Sequence, residues 1–282
     1  RTSMKSGIVN RSKSGTLMCE SFPYVDTHTH LDTIYEKLKK PMNWPFSEYS
    51  KTFPAGFEGC LTVFSDSFEG ALNFIDQGND KIWGALGIHP HVSNIYNDEL
   101  EECLKQHLKN PRVIALGEIG LDYHYDNSPR DVQKKVFERQ CRLAVELGMP
   151  IVVHTREAEK DTLEIFEKAI PKDHKVHIHC YTDSIWLVDK ILEKWTNAYF
   201  GFTGVLTFPK SQDIRDVCKR VPLNRLLSET DGPFMAPVPY RGKASNPGYI
   251  PVIIKKMAEL HDVDEKTAFT TIRENCRTFY GF

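Results

Sequence analysis

Eight short apolar runs, each followed by a longer stretch with helical spacing, constrain this chain more than any other feature. They predict strands over Tyr24–Asp26, Gly59–Ser65, Ile82–Gly87, Val113–Gly117, Ile151–His154, Val176–His179, Ala198–Phe202 and Leu226–Ser228. Unbroken runs such as Ile151–Val152–Val153 suit parallel strands buried on both faces. The clearest helix between strands is Asp131–Leu147, with Val132, Val136, Phe137, Cys141, Ala144 and Val145 on one stripe. Ser128 or Asp131 is its expected N-cap, Gly148 its C-terminal turn, and Pro150 bars continuation.

Strict alternation over 282 residues, with no repeat or linker, predicts an α/β fold, the TIM (β/α)8 barrel, in a single domain over residues 22–282. An open doubly wound sheet is the rival. The polar residues decide between them. Five runs end in imidazoles or carboxylates: Asp26 to His30, then Glu118, His154, His179 and Asp231. Barrel enzymes place their chemistry at the C-terminal ends of the strands, whereas an open sheet concentrates it at one switch point. Closure also sets the last strand beside the first, so Asp231 can approach His28 and His30.

Composition narrows the function. A hydrophobic share of 40% and a charged share of 26% are those of a globular protein with a sizeable core. No run approaches the ~20 apolar residues of a membrane helix, so no membrane association is expected. Seven cysteines, with no Cys-x-x-Cys pair, read as reduced thiols of an intracellular protein. The expected location is the cytoplasm, with the nucleus as an alternative. A net charge of −2 argues against a long basic stripe gripping duplex DNA, though not against a short basic rim. Residues 1–21 are expected to form a disordered tail, with Arg1–Ser3 an expression remnant; a transit peptide is the alternative.

His28 and His30, at i and i+2 of an extended segment, point the same way and can hold one ion. Asp26 shares their parity and is expected beneath them, orienting an imidazole. Glu118 can bridge two cations, which no imidazole can do. His154 follows an apolar lead-in. His179 is the expected ligand of the His177/His179 pair, with His177 and His174 structural or exposed. Mixed imidazole and carboxylate donors suit Zn²⁺, Mn²⁺ or Fe²⁺ better than an all-oxygen site. Two cations about 3.5–4 Å apart can activate water and stabilise a leaving oxygen, and Asp231 is placed to take the proton. The Pro233–Gly248 segment reads as a substrate-facing loop.

Six segments carry a resemblance: Asp-Thr-His-Thr-His-Leu (26–31), Leu-Gly-Ile-His-Pro (86–90), Gly-Glu-Ile-Gly-Leu-Asp-Tyr (117–123), His-Thr-Arg-Glu (154–157), His-Cys-Tyr-Thr (179–182) and Glu-Thr-Asp-Gly-Pro (229–233). In this order the chain resembles the TatD-related metal-dependent deoxyribonucleases from about residue 22 onward. The resemblance implies a barrel hydrolase that cuts DNA phosphodiester bonds, 3'–5' exonuclease-like, through a metal-activated water. It implies two divalent ions (Zn, Mn or Mg), one at His28, His30, Glu118 and Asp231 and a second at Glu118, His154 and His179. Catalytic roles fall to Asp231, Glu118 and His89, and His89 is expected near the scissile phosphate. Arg156, Arg241 and Lys243 are expected phosphate contacts, because guanidinium and ammonium groups neutralise phosphate oxygens. A monomer acting on single-stranded or frayed DNA ends follows. The alternative is a related binuclear barrel hydrolase acting on amide, ester or phosphotriester bonds. Such enzymes commonly carry a carboxylated lysine where this chain has Glu118. Two departures touch substrate preference: Ser245 stands where the family often has Asn, and Asp183 where it often has Gly.

Overall fold

Residues 21–78 and 80–281 are described in the computed structural model; the expected tail over 1–21, apart from Ser21, lies outside them, as does Cys19. The strands are β1 (Tyr24–Thr29), β2 (Phe57–Phe64), β3 (Ile82–Leu86), β4 (Val113–Asp122), β5 (Ile151–Arg156), β6 (Val176–Ile178), β7 (Ala198–Phe202) and β8 (Leu226–Ser228). They form one parallel sheet in the order β1 to β8, with helices between successive strands. β8 returns to β1 through Asp231 N–H donating to His28 O at 2.9 Å, His30 N–H donating to Gly232 O at 2.8 Å, and a parallel bridge between Thr29 and Gly232. The fold is the nearly closed (β/α)8 barrel, not the open sheet. No helix among the described residues is long and apolar enough to cross a membrane.

Asp26 does not orient an imidazole, contrary to its parity. Its Oδ1 accepts from the backbone N–H of His28 at 3.2 Å and of Thr230 at 3.0 Å, and its Oδ2 accepts from Thr230 Oγ1 at 2.5 Å. A fully buried carboxyl thus fastens the last strand's extension to β1; burial pushes its pKa up to about 8. Thr27 Oγ1, donating to Ser228 O at 3.0 Å, adds to the seam.

The largest departure in bounds is β4, which runs to Asp122. Glu118 therefore lies inside the strand. Gly120 makes this possible: at φ +150° it passes so close to β5 that a Cβ would sit 1.8 Å from His154 O. The helix Arg130–Leu147 packs beneath, burying Val136, Phe137, Cys141, Leu143 and Ala144, each large apolar side chain contributing about 1.5–3 kcal/mol. Val132 and Val145 are only partly buried, and Gln133 and Gln140 take the stripe instead. Gln133 Oε1 accepts from Asp122 N–H at 2.8 Å while its Nε2 donates to Asp122 O at 3.1 Å; Gln140 holds Ile88 in the same two-way manner. Neither expected residue caps this helix. Pro129 occupies the position, and Ser128 Oγ is drawn away to His91 O at 3.0 Å. Gly148 ends the helix in the left-handed conformation, as its position predicts.

Candidate metal centre

At the C-terminal mouth of the barrel, β1, β4, β5, β6 and β8 bring His28, His30, Glu118, His154, His179 and Asp231 to one point. Glu118 sits at the middle and divides its oxygens. Oε1 lies 2.7 Å from His179 Nε2, 2.8 Å from His154 Nδ1 and 3.2 Å from His89 Nε2. Oε2 lies 3.5 Å from His28 Nε2 and 3.7 Å from His30 Nε2. Asp231 Oδ1 faces the same two histidines at 3.7 and 3.4 Å. Three sets of donor atoms are close enough to share a cation: His28/Glu118/His179, His28/His30/Asp231 and His89/Glu118/His154.

The donors fit a cation better than they fit one another. His28 Nε2 and His30 Nε2 face each other at 3.3 Å, so at most one proton can lie between two lone pairs. Protonation divides the two rings unevenly. Burial and the neighbouring His179 push the His28 pKa down to about 3. Burial also acts against protonation of His30, yet Asp231 and Glu118 outweigh it and lift His30 to about 9. Glu118 is held well below the usual carboxylate range, since His179 and His89 overcome its burial. The His28 and His179 rings stack at 3.9 Å, which fixes both planes.

Around this ring lies a layer of polar residues that orient it. Asp122 Oδ2 accepts from His154 Nε2 at 3.0 Å and contacts His91 Nε2 at 2.9 Å. Glu229, fully buried, accepts the Cys180 N–H on Oε1 and places Oε2 2.8 Å from His177 Nε2. His177 Nδ1 is 2.7 Å from the Tyr280 hydroxyl. Burial lifts the Glu229 carboxyl to about 8 and drives the His177 imidazole well below its usual range, so burial disfavours charge on both. Gly201 is required here, because a Cβ would stand 2.3 Å from Glu229 Oε2 and 2.4 Å from His177 Nε2. Asp122, His91 and Glu229 escaped the sequence reading. Asp122 shares strand parity with Glu118, a signal lost by ending β4 at Gly117.

His89 belongs to the cluster. Its Nδ1 accepts from His91 N–H at 3.1 Å, so its Nε2 carries the proton and points at Glu118; burial lowers its pKa to about 4. His174, by contrast, is remote and bonds Met149 O. Arg156, Arg241 and Lys243 stand apart from the ligands. The Arg156 guanidinium lies 5.1 Å from the Tyr125 ring centre, Arg241 3.9 Å from Phe208, and the Lys243 ammonium 5.7 Å from Tyr240. Ser245 is buried, its N–H donating to Pro233 O at 3.0 Å, while Asn246 accepts from Gly248 N–H at 2.9 Å. Both therefore shape the last loop's backbone. Asp183 Oδ1 accepts from Glu157 N–H at 3.2 Å, and its Oδ2 is buried without a partner.

Residues 25–281 match the family model described as TatD related DNase. The chain is 37% identical over 273 residues to a human protein named 3'-5' RNA nuclease TATDN2, covering 92% of this chain and 35% of that protein, about a third of its length. It is 34% identical to a Bacillus subtilis protein named uncharacterized metal-dependent hydrolase YabD, covering 90% of this chain and 98% of that one. It is 30% identical to a 3'-5' ssDNA/RNA exonuclease TatD of Erwinia amylovora, over 80% of this chain and 90% of that one. The crystal structure of the TatD homologue YJJV from Escherichia coli superposes with a TM-score of 0.79 at 23% identity, over 92% of this chain and 98% of that one, which shows a shared fold.

Proposed function

This chain belongs to the family of TatD related DNases, and from that premise we propose that it is a metal-dependent deoxyribonuclease hydrolysing DNA phosphodiester bonds from a 3' end. The observation that carries the reading is Glu118, with one oxygen toward His154 and His179 and the other toward His28 and His30. That division suits a carboxylate bridging two divalent ions. His28, His30, Glu118 and Asp231 would hold one, and Glu118, His154 and His179 the other. Bound there, Zn²⁺, Mn²⁺ or Mg²⁺ lowers the pKa of an attacking water and stabilises the leaving oxygen.

The protein's own groups do the rest. Asp231 stays ionised, because His30, His179 and His28 outweigh its burial, and it is positioned to take the proton of the attacking water. His89, neutral with its proton on Nε2, would turn that N–H from Glu118 to a phosphate oxygen when Glu118 is engaged by metal. Arg156, Arg241 and Lys243 neutralise neighbouring phosphates. The two relatives named as 3'-5' nucleases support the polarity, and one of them supports single strands. Their names also make RNA a substrate to test beside DNA. We take residues 22–282 as one barrel domain, acting as a monomer in the cytoplasm or nucleus. An amide, ester or phosphotriester hydrolase is not favoured, since such enzymes commonly carry a carboxylated lysine where this chain has Glu118.

The deciding experiment supplies Mg²⁺, Mn²⁺ and Zn²⁺ separately to stripped protein with end-labelled single-stranded DNA, duplex DNA and RNA. Stepwise shortening of single strands from the 3' end is expected, abolished in Asp231→Asn. Hydrolysis of small esters with no cleavage of any nucleic acid would overturn the reading.

A further inference from the structure

Three aromatic side chains are exposed among the large apolar residues described: Tyr125, Trp186 and Phe234. Single exposed apolar residues are ordinary on any surface. Tyr125 and Phe234 differ from Trp186 in that each touches a histidine of the centre edge-on. The Phe234 ring is 6.5 Å from the His30 ring, and the Tyr125 ring is 5.4 Å from the His91 ring. They are also the two most exposed members of the apolar set, at 52% and 56%.

Both are anchored to the centre through their backbones. Tyr125 N–H donates to Asp122 Oδ1 at 3.2 Å, and Phe234 N–H donates to Asp231 O at 2.9 Å. Each ring is therefore presented from a loop fixed by an aspartate of the site. Tyr125 follows β4 and Phe234 follows β8, strands four places apart in a ring of eight, on opposite sides of the mouth. Strands about 4.8 Å apart and tilted about 36° set opposite walls about 15 Å across. Adjacent stacked bases are about 3.4 Å apart along a strand, far less than the width of the barrel between the two strands that carry these loops.

We propose that Tyr125 and Phe234 are stacking platforms for nucleobases on either side of the scissile phosphate, and that together they select unstacked single strands. The proposal rests on the nuclease reading above and supplies its base-contacting surface. Arg156, whose guanidinium lies over one face of the Tyr125 ring, adds a cation for the phosphate next to a base stacked on the other face. Aromatic faces accept every base, so the selection is for strandedness rather than sequence.

The test measures affinity, and so is independent of turnover. Metal-loaded protein is titrated with hydrolysis-resistant phosphorothioate oligothymidylate, with its uridine counterpart, and with the same backbone carrying abasic sugars. Wild type is expected to bind the base-bearing strands more tightly than the abasic one, by about 5- to 150-fold for each ring engaged. Phe234→Ala and Tyr125→Ala should each reduce that ratio, and the double variant should bring it near one. Phe234→Trp and Tyr125→Trp should retain it, which separates stacking from loop collapse. A wild-type ratio near one, alanine variants that keep the wild-type ratio, or variants that weaken both strands equally would each overturn the proposal. A wild-type protein that shows the ratio yet cleaves no nucleic acid would count against the nuclease reading alone.

Discussion

Asp122 Oδ2 accepts a hydrogen bond from His154 Nε2 at 3.0 Å, which turns the opposite nitrogen, Nδ1, toward Glu118 at 2.8 Å. The carboxylate is itself held: Gln133 clamps its backbone, and its Oδ1 accepts from the N–H groups of His124 and Tyr125. Desolvation opposes its charge, but His154 and His91 keep it ionised far below the usual carboxylate range.

Asp122→Asn should therefore misorient His154 without removing a ligand. Loss of such a supporting carboxylate typically lowers metal affinity about 10- to 100-fold. Titrating Zn²⁺ or Mn²⁺ into stripped protein should show the weaker of two binding steps shifted by that factor and the other step moved less. Two unshifted steps would remove Asp122 from any positioning role.

Glu118→Gln tests the bridge. An amide offers one oxygen, so it cannot face both histidine groups as a ligand. Metal content after dialysis, read by mass spectrometry, should fall from two ions per chain toward one or none. Retention of both ions with wild-type affinity would mean that Glu118 does not bridge.

How much of this was legible in the sequence depended on which side chains the barrel buries. Strand starts were, since Ile151 and Leu226 open apolar runs. Strand ends were less so: past Gly117 the inward positions are Glu118, Gly120 and Asp122, a polar series that reads as a loop although the backbone stays paired to β5. Glu229 and His177 were hidden for a related reason. Their charges are suppressed by burial, and only the packed structure shows them joined. Gln133 and Gln140 interrupt an apolar stripe because the strands beside them leave backbone groups to satisfy. Asp26 was correctly placed but misassigned, since parity gives the face a side chain shares and not the partner it chooses.

Asp183 gives a pH dependence of stability. Burial, with Glu159 and Glu157 nearby, raises its folded pKa from 3.8 to about 6. The folded protein then binds more protons than the unfolded chain between about pH 4 and 6, so stability falls as pH rises through that window and the cost is complete above it. Asp183→Asn keeps an acceptor for Glu157 N–H and removes the charge. Chemical denaturation should find the variant more stable by about 3 kcal/mol at pH 7.5 and nearly equal to wild type at pH 4. A difference that does not change with pH would exclude the ionisation as its cause.

The salt dependence of binding tests where the backbone is held. Arg241 and Lys243 are exposed on the loop between β8 and Asn246, and among the described residues no carboxylate pairs with either. A net charge of −2 argues against a long basic stripe to supplement them. Each neutralised phosphate contributes about −0.7 to the slope of log K against log salt on a single strand and about −0.9 on duplex. A footprint of three or four phosphates predicts a slope of roughly −2 to −4 for Asp231→Asn protein, in which binding is measured without cleavage. Adding Arg241→Ala and Lys243→Ala should flatten that slope by up to about two units, with sequence preference unchanged. A slope steeper than about −6, or one that the double substitution leaves alone, would place the phosphate-binding surface elsewhere on the barrel.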